Sequence, residues 1–186
     1  RFKTEADRTR AIGMVLTLLV RPSCETSPMH VISANTPGTG KGLLLSAVSM
    51  IAHGYGARVQ KMPHHDEEMQ KVLTSALLAG RTMIIFDETG EGIDSLSLAA
   101  MLTSTYYEGR ILGESRHLSV KNSACVFAAG NNVAVKKDLG RRTVMVELKT
   151  SLANPETRDD FTHPDLLGWI KDNRKSLLEA AFTLIR

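Results

Sequence analysis

Lys41 closes the stretch Asn35-Thr36-Pro37-Gly38-Thr39-Gly40-Lys41, with Gly42 and Leu43 after it and the apolar pair Val31-Ile32 before it. That order is the one a phosphate-binding loop takes between a strand and a helix. Gly38 and Gly40 let the backbone bend and turn its N–H groups inward, the helix N-terminus adds positive partial charge, and Lys41 reaches the β- and γ-phosphates. A nucleoside triphosphate is the expected ligand, with Thr36, Pro37, Gly38, Thr39, Gly40, Lys41, Gly42 and Leu43 as its binding residues. The pattern departs from the usual one twice: Asn35 stands where the first glycine falls, and Gly42 stands where a Ser or Thr normally ligates Mg²⁺. Taken alone, the stretch also fits a glycine-rich turn with a stray lysine.

Met83-Ile84-Ile85-Phe86-Asp87-Glu88 is a continuous apolar run ending in two acids, as expected of a strand buried on both faces that emerges at the C-terminal edge of a parallel sheet. The phosphate loop belongs to the same edge. Asp87 is then placed to hold Mg²⁺, directly or through water, and Glu88 to orient and deprotonate an attacking water, because γ-phosphate hydrolysis is chiefly positioning and charge neutralisation. With no hydroxyl at Gly42, Asp87 carries more of the metal's coordination. The alternative is that the acids solubilise a strand end, or that Asp87 caps the next turn. Ala124-Cys125-Val126-Phe127-Ala128-Ala129-Gly130-Asn131-Asn132 is another buried strand with a polar end. Asn131, with Asn132 as rival, can hydrogen-bond the γ-phosphate or the water, although Gly-Asn-Asn is also a common turn. Asp138-Leu139-Gly140-Arg141-Arg142 precedes the strand Thr143-Val144-Met145-Val146-Glu147-Leu148. Arg141 or Arg142 either adds solvated surface charge or reaches a neighbouring subunit's site, where it stabilises charge on the transferred phosphoryl group.

In this order the motifs resemble those of the AAA+ ATPases, and within them the superfamily 3-like helicase domains of primase-helicase replication proteins in phages, plasmids and other mobile elements. Narrower points of likeness are Asp66-Glu67-Glu68 with its helix leading to Gly80, Gly109-Arg110-Ile111-Leu112-Gly113, the Ala-Gly-Asn-Asn strand end and His163-Pro164-Asp165-Leu166-Leu167-Gly168-Trp169. The likeness runs from about residue 30 to residue 186. It implies an α/β fold of the P-loop NTPase type (AAA+/ASCE), a three-layer α/β/α sandwich with a central parallel sheet. By position it also implies phosphate binding by Lys41, metal and water service by Asp87 and Glu88, a sensor role for Asn131, and action in trans by Arg141 or Arg142. The implied cofactors are ATP and Mg²⁺. The implied activity is ATP hydrolysis by a DNA helicase motor working on single-stranded DNA as a homo-oligomeric ring, a hexamer being one candidate size. Two other classes stay open: a P-loop phosphotransferase whose arginines form a lid over its own site, and a nucleotide-dependent assembly module that is no helicase.

The elements that must position these residues follow from periodicity. The 186 residues, 42% hydrophobic and 23% charged, suit one globular domain. Within it, residues 1–22 carry an N-terminal helix, 30–150 the nucleotide-binding core and 151–186 a C-terminal helical segment. The chain opens on Arg1, from which a longer polypeptide with a primase or origin-binding part is expected. Helices are predicted over Glu5–Val20, stopped by Pro22, and over Leu43–His53, which is apolar nearly all round and should be buried. A third helix places Met69, Val72, Leu73, Ala76 and Leu77 on one face and stops at Gly80. Others run over Ser95–Ser104 and from about Pro164, the last with Leu166, Ile170, Leu177, Ala181 and Leu184 on one side. A short strand is expected near Arg58–Met62, and a hairpin or loop over Tyr106–Val120. Alternating strands and helices imply a parallel sheet.

Cys24 and Cys125 are too few for a disulfide framework, so a reducing cytoplasm is the expected location. The apolar stretch Ala11–Val20, flanked by Arg10 and Arg21, is too short for a membrane span and lacks the form of a signal peptide. His64-His65-Asp66 is read as preceding an Asp cap in preference to a metal site. Tyr106-Tyr107 with Arg110, Arg116, His117 and Lys121 can grip single-stranded nucleic acid by stacking and phosphate neutralisation. A net charge of +3 is only mildly basic and fits plain solvation of that stretch equally well.

Overall fold

In the computed structural model of the chain, the glycine loop, the two acids and Asn131 lie at the ends of strands, whereas Arg141 and Arg142 lie between the end of a helix and the start of a strand. The structure describes residues 1–90, 92–110, 117–152, 155 and 158–186, with backbone only at Arg110, His117, Leu118 and Lys137. In chain order the elements are α1 (Glu5–Val20), β1 (Met29–Ala34), α2 (Lys41–His53), β2 (Val59–Lys61), α3 (Asp66–Leu78), β3 (Met83–Asp87), β4 (Gly92–Ile93), α4 (Leu96–Met101), β5 (Tyr106–Arg110), β6 (His117–Lys121), β7 (Cys125–Asn131), β8 (Ala134–Val135), α5 (Lys137–Gly140), β9 (Thr143–Leu148) and α6 (Leu166–Ile185).

Five strands form one sheet in the order β2-β3-β7-β1-β9, and every neighbouring pair is parallel. The continuous apolar runs follow from this, because helices cover both faces of a parallel sheet. Ile32, Ala34, Ile85, Phe127, Ala129 and Val146 face a core shared with Met14 and Leu18 of α1 and Leu45 and Val48 of α2. Met29, Val31, Ile84, Phe86, Val126 and Ala128 face a second core with Met69 and Leu73 of α3 and Leu98 and Met101 of α4. Each large side chain so buried stabilises by about 1.5–3 kcal/mol. The architecture is a three-layer α/β/α sandwich around a parallel sheet.

Helix ends obey the capping chemistry legible in the residues. Thr4 caps α1 by accepting from Asp7 N, and buried Asp7 in turn accepts from Thr4 Oγ1 at 2.5 Å and from Glu147 N at 3.1 Å. That couples α1 to the outer strand β9. Ser95 caps α4 by accepting from Leu98 N at 3.0 Å. The helix proper is shorter than the expected Ser95–Ser104, because the Thr103 and Ser104 hydroxyls bond back to the Ala100 carbonyl and compete with further helix. The β5–β6 pair is an antiparallel hairpin.

Several expectations need correcting. α2 begins at Lys41 and not at Leu43, since Leu44 N already bonds Gly40 O at 2.9 Å. It is also not buried all round: Leu45, Ala47, Val48 and Ser49 are, whereas Leu43 is 42% exposed. Part of its apolar surface meets α6, whose Arg174 donates to the carbonyls of Met50, Ile51 and Ala52 at 2.9–3.1 Å and so satisfies the C-terminal end of α2. On α6, Ile170 and Ala181 are buried, but Leu184 is 65% exposed, because it lies in the last turn, beyond the packed layer. Asp66 does not cap α3, where His65 takes the cap position. It accepts instead from Ser97 N at 3.1 Å and from Ser95 Oγ at 2.5 Å, anchoring α4 to α3. Burial works against its ionisation, yet the bonds from Ser95 and Ser97 outweigh it and hold the carboxyl below its ordinary value.

His30 lies on β1, 2% exposed, stacked on Phe127 of the neighbouring β7. Thr17 Oγ1 donates to Gly13 O at 2.7 Å, so it receives the proton of His30 Nε2 at 3.1 Å, and Nδ1 has no partner. Burial lowers the imidazole pKa from 6.5 to about 4. The folded value lies below the unfolded one, so the neutral ring contributes stability that is complete above pH 6.5 and is lost as pH falls toward 4. Urea melts should show an acid-induced loss of up to about 3 kcal/mol from this residue, and His30→Gln should remove that share of the pH dependence.

Candidate active site

The loop between β1 and α2 owes its shape to two left-handed glycines, Gly38 at φ 71° and Gly40 at φ 93°, a conformation that costs other residues about 1–2 kcal/mol. Thr39 Oγ1 donates to Thr36 O at 3.2 Å and closes the loop on itself. Asn35, the first departure from the usual pattern, has a task of its own. Its Nδ2 donates to Thr150 O at 2.9 Å and its Oδ1 accepts from Thr150 N at 3.2 Å. The side-chain amide thus acts as one more peptide rung beyond Ala34 and ties the loop to the chain leaving β9.

β7 lies between β1 and β3, with Ala34 paired to Asn131 and Phe86 to Ala128. This register brings the asparagine between the lysine and the acids. Lys41 Nζ donates to Asn131 Oδ1 at 2.7 Å. Burial lowers the Lys41 pKa from its ordinary value, and the Asp87 carboxylate opposes that shift. Asp87 Oδ1 accepts from Glu88 N at 2.8 Å, and Glu88 itself takes a left-handed φ of 53°, rare outside glycine. The turn leaves its carboxylate largely exposed, 3.7 Å from Lys61 Nζ. Past the strand ends, β4 pairs with β8, so the loop that carries the acids is stitched to the loop that follows Asn131.

The result is a cavity of about 620 Å³ lined by Pro37 through Gly42, Asp87, Glu88, Gly90, Gly130 and Asn131. Lys41, Asp87, Glu88 and Asn131 therefore meet in one place. Of the expected binding residues, Thr36 and Leu43 do not line it: the Thr36 hydroxyl is buried without a partner, and Leu43 faces outward. Asn132, the rival of Asn131, is also outside the lining, its backbone turned left-handed at φ 48° with its N–H given to Ala34 O. Gly90 and Gly130 join the cavity without having been anticipated. Gly130 had a signal in the Ala-Gly-Asn spelling, since a glycine within a strand marks close approach; Gly90 had none.

Arg141 and Arg142 do not reach this cavity. Arg142 is held within the chain, donating to Ala99 O at 2.6 Å and pairing with Asp138 at 2.6 Å. Arg141 also meets Asp138 but remains 80% exposed. The hairpin separates its two tyrosines, as alternation along a strand requires. Tyr106 is 59% exposed, whereas Tyr107 is buried at 5% against α3, so it cannot stack on a nucleic acid. Lys121 is exposed. The expected contact at Arg116 lies outside the described residues, as do the side chains of Arg110 and His117. No group of three or more His, Cys, Asp or Glu side chains suited to a metal occurs among the described residues. Among them, too, no helix is long and apolar enough to cross a membrane.

A parallel sheet with a glycine loop after β1, a lysine opening α2 and acids at the end of a non-adjacent strand decides the architecture. The fold is that of the P-loop NTPases. No family profile and no curated protein sequence matches the chain. Among solved structures, the apo A form of the NrS-1 C-terminal region is similar with a TM-score of 0.61 and 14% identity, covering 90% of this chain and 39% of that one. A second structure of that region gives 0.55 and 16% identity over 88% and 38% of the two chains. JCV helicase bound to a thiazolopyridine compound gives 0.46 and 13% identity over 96% and 51%, too slight a likeness to bear an argument. The chain spans less than two-fifths of the NrS-1 structures' length, and at these identities the likeness concerns fold alone.

A methyl group on Gly130 would overlap Thr89 Oγ1 and stand 2.7 Å from Val133 Cγ2. Thr89 follows Glu88 directly and bonds Ala129 O through its N–H. Gly130→Ala should therefore displace the loop that carries the acids and destabilise the protein by about 1–3 kcal/mol, read as a lower Tm in calorimetry.

Proposed function

We propose that this chain is an ATP-hydrolysing motor domain, carried chiefly by the convergence of Lys41, Asp87, Glu88 and Asn131 on one triphosphate-sized cavity. The loop N–H groups and Lys41 bind the β- and γ-phosphates. Glu88 orients the attacking water and accepts its proton, and Asn131, already within reach of Lys41, holds the γ-phosphate or that water. The donor set suits Mg²⁺, because a single carboxylate, Asp87, beside the phosphates leaves the other positions to phosphate oxygens and water, as a small hard cation prefers. Magnesium, when bound, neutralises charge building on the β- and γ-oxygens.

The stimulus for the motor is single-stranded DNA, and the assembly is a ring of identical subunits. Two features support this. Arg141 lies away from its own chain's cavity and is largely exposed, so it is the better placed of the two arginines to complete a neighbour's site, Arg142 being committed to Ala99 and Asp138. Tyr106 and Lys121 leave one strand pair of the hairpin with an exposed aromatic and a cation side by side in register, a pairing that serves stacking and phosphate contact. We further propose that residues 1–186 work as one such domain within a larger replication protein.

Glu88→Gln should retain ATP binding and lose hydrolysis by about 10²–10⁴-fold; a non-catalytic assembly module would have no hydrolysis to lose. Lys41→Ala should lose binding itself. For the shared site, a chain carrying Lys41→Ala mixed with a chain lacking both arginines should regain part of the ATPase. Inactive mixtures, with wild type active only as an oligomer, would exclude arginine action in trans. ATPase measured with and without single-stranded DNA tests the motor against a phosphotransferase, whose rate should not respond.

A further inference from the structure

Gly42 is a different kind of glycine from its neighbours. Gly38 and Gly40 are left-handed and Gly130 is pressed by Thr89, so each is demanded by backbone or packing. Gly42 lies in the first turn of α2, outside the left-handed region, and a Cβ added there meets nothing within 4 Å. It lines the phosphate cavity on the same rim as Asp87. Nothing in the fold forbids a side chain at the one position from which a hydroxyl would ligate a phosphate-bound cation.

Thr39, which donates to Thr36 O at 3.2 Å within the loop, carries the one hydroxyl among the described cavity-lining residues. The Thr36 hydroxyl is buried outside the cavity. Of the two acids at the cavity Glu88 is assigned to the attacking water, which leaves Asp87 for the metal. The triphosphate, by contrast, keeps its full protein complement of loop N–H groups and Lys41. Binding energy that usually passes through the cation must come here from amides and ammonium.

We propose that this chain binds its nucleotide almost independently of a divalent cation, because Gly42 leaves the metal one protein ligand short, and that a hydroxyl at this position creates the missing dependence. The inference rests on the nucleotide-site reading above. The room at Gly42 lets the substituted hydroxyl enter without moving the loop, and Ser or Thr is no worse than Gly for the helix.

The test is calorimetric titration of the whole chain with a non-hydrolysable ATP analogue, in EDTA and in excess magnesium. Wild type should show Kd values within about threefold of each other under the two conditions, whereas Gly42→Thr and Gly42→Ser should bind at least about tenfold more tightly with magnesium than without it. Wild-type binding that tightens tenfold or more on adding magnesium would overturn the proposal whatever the variants do. So would two folded variants whose metal dependence equals that of wild type. If Gly42→Thr fails to fold, Gly42→Ser and the wild-type ratio still decide. A wild-type chain that binds the analogue in neither buffer would overturn the nucleotide-site reading itself, an outcome distinct from binding that is strongly metal-dependent.

Discussion

The parallel pairing of β7 with β1 on one side and β3 on the other is the constraint on which the site depends. It sets the end of each strand at the same rim, and its register decides which residue stands opposite which. A slip by one residue would reverse the faces of β7, turning Phe127 out of one core and Val126 out of the other. Two buried cores therefore fix the position of Asn131 relative to Lys41 and the acids, although none of these polar groups contributes to either core. The chemistry is located by apolar packing at a distance from it.

Close approach is the second layer of control. The loop after β3 rests on Gly130 through Thr89, the loop after β7 rests on β1 through Val133 N and Ser33 Oγ at 3.0 Å, and the β4–β8 pair joins both. Glu88 is held in a left-handed turn by these attachments, a conformation that costs of order 1 kcal/mol and persists only where the surroundings impose it. The far end of α2 is fixed as firmly by Arg174. The loop between β1 and α2 is thus held from both sides, by Asn35 on Thr150 and by a helix whose last carbonyls are already occupied.

Much of this was legible in the residues. β9 begins and ends where its apolar run does, α1 matches its expected span, and α3 stops before Gly80, because long periodic segments with clear stop signals leave little choice. The convergence of Lys41, Asp87 and Glu88 followed from two strands ending at one sheet edge. What was hidden depended on partners remote in sequence. Asn35 looked like a defect in a glycine pattern until Thr150 was seen opposite it. Asp66 looked like a local cap, while its hydrogen bonds run to Ser95 and Ser97. Tyr106 and Tyr107 are alike as residues, although a strand must turn one inward, and packing on α3 decides which. Leu43 looked like core because its neighbours are apolar, but a helix has more sides than the sheet can cover.

The strand order has a bearing on how the protein is made. β1, which leads into the lysine's loop, and β3, which ends in Asp87, leave the ribosome well before β7, yet those two strands share no hydrogen-bond ladder with each other; β7 is the plank between them. Until residue 131 is available, the nascent chain holds both halves of its chemistry on surfaces that nothing aligns. The meeting of Lys41, Asp87 and Asn131 and the joining of β1 to β3 thus arrive in one event of synthesis, with β9 still to follow.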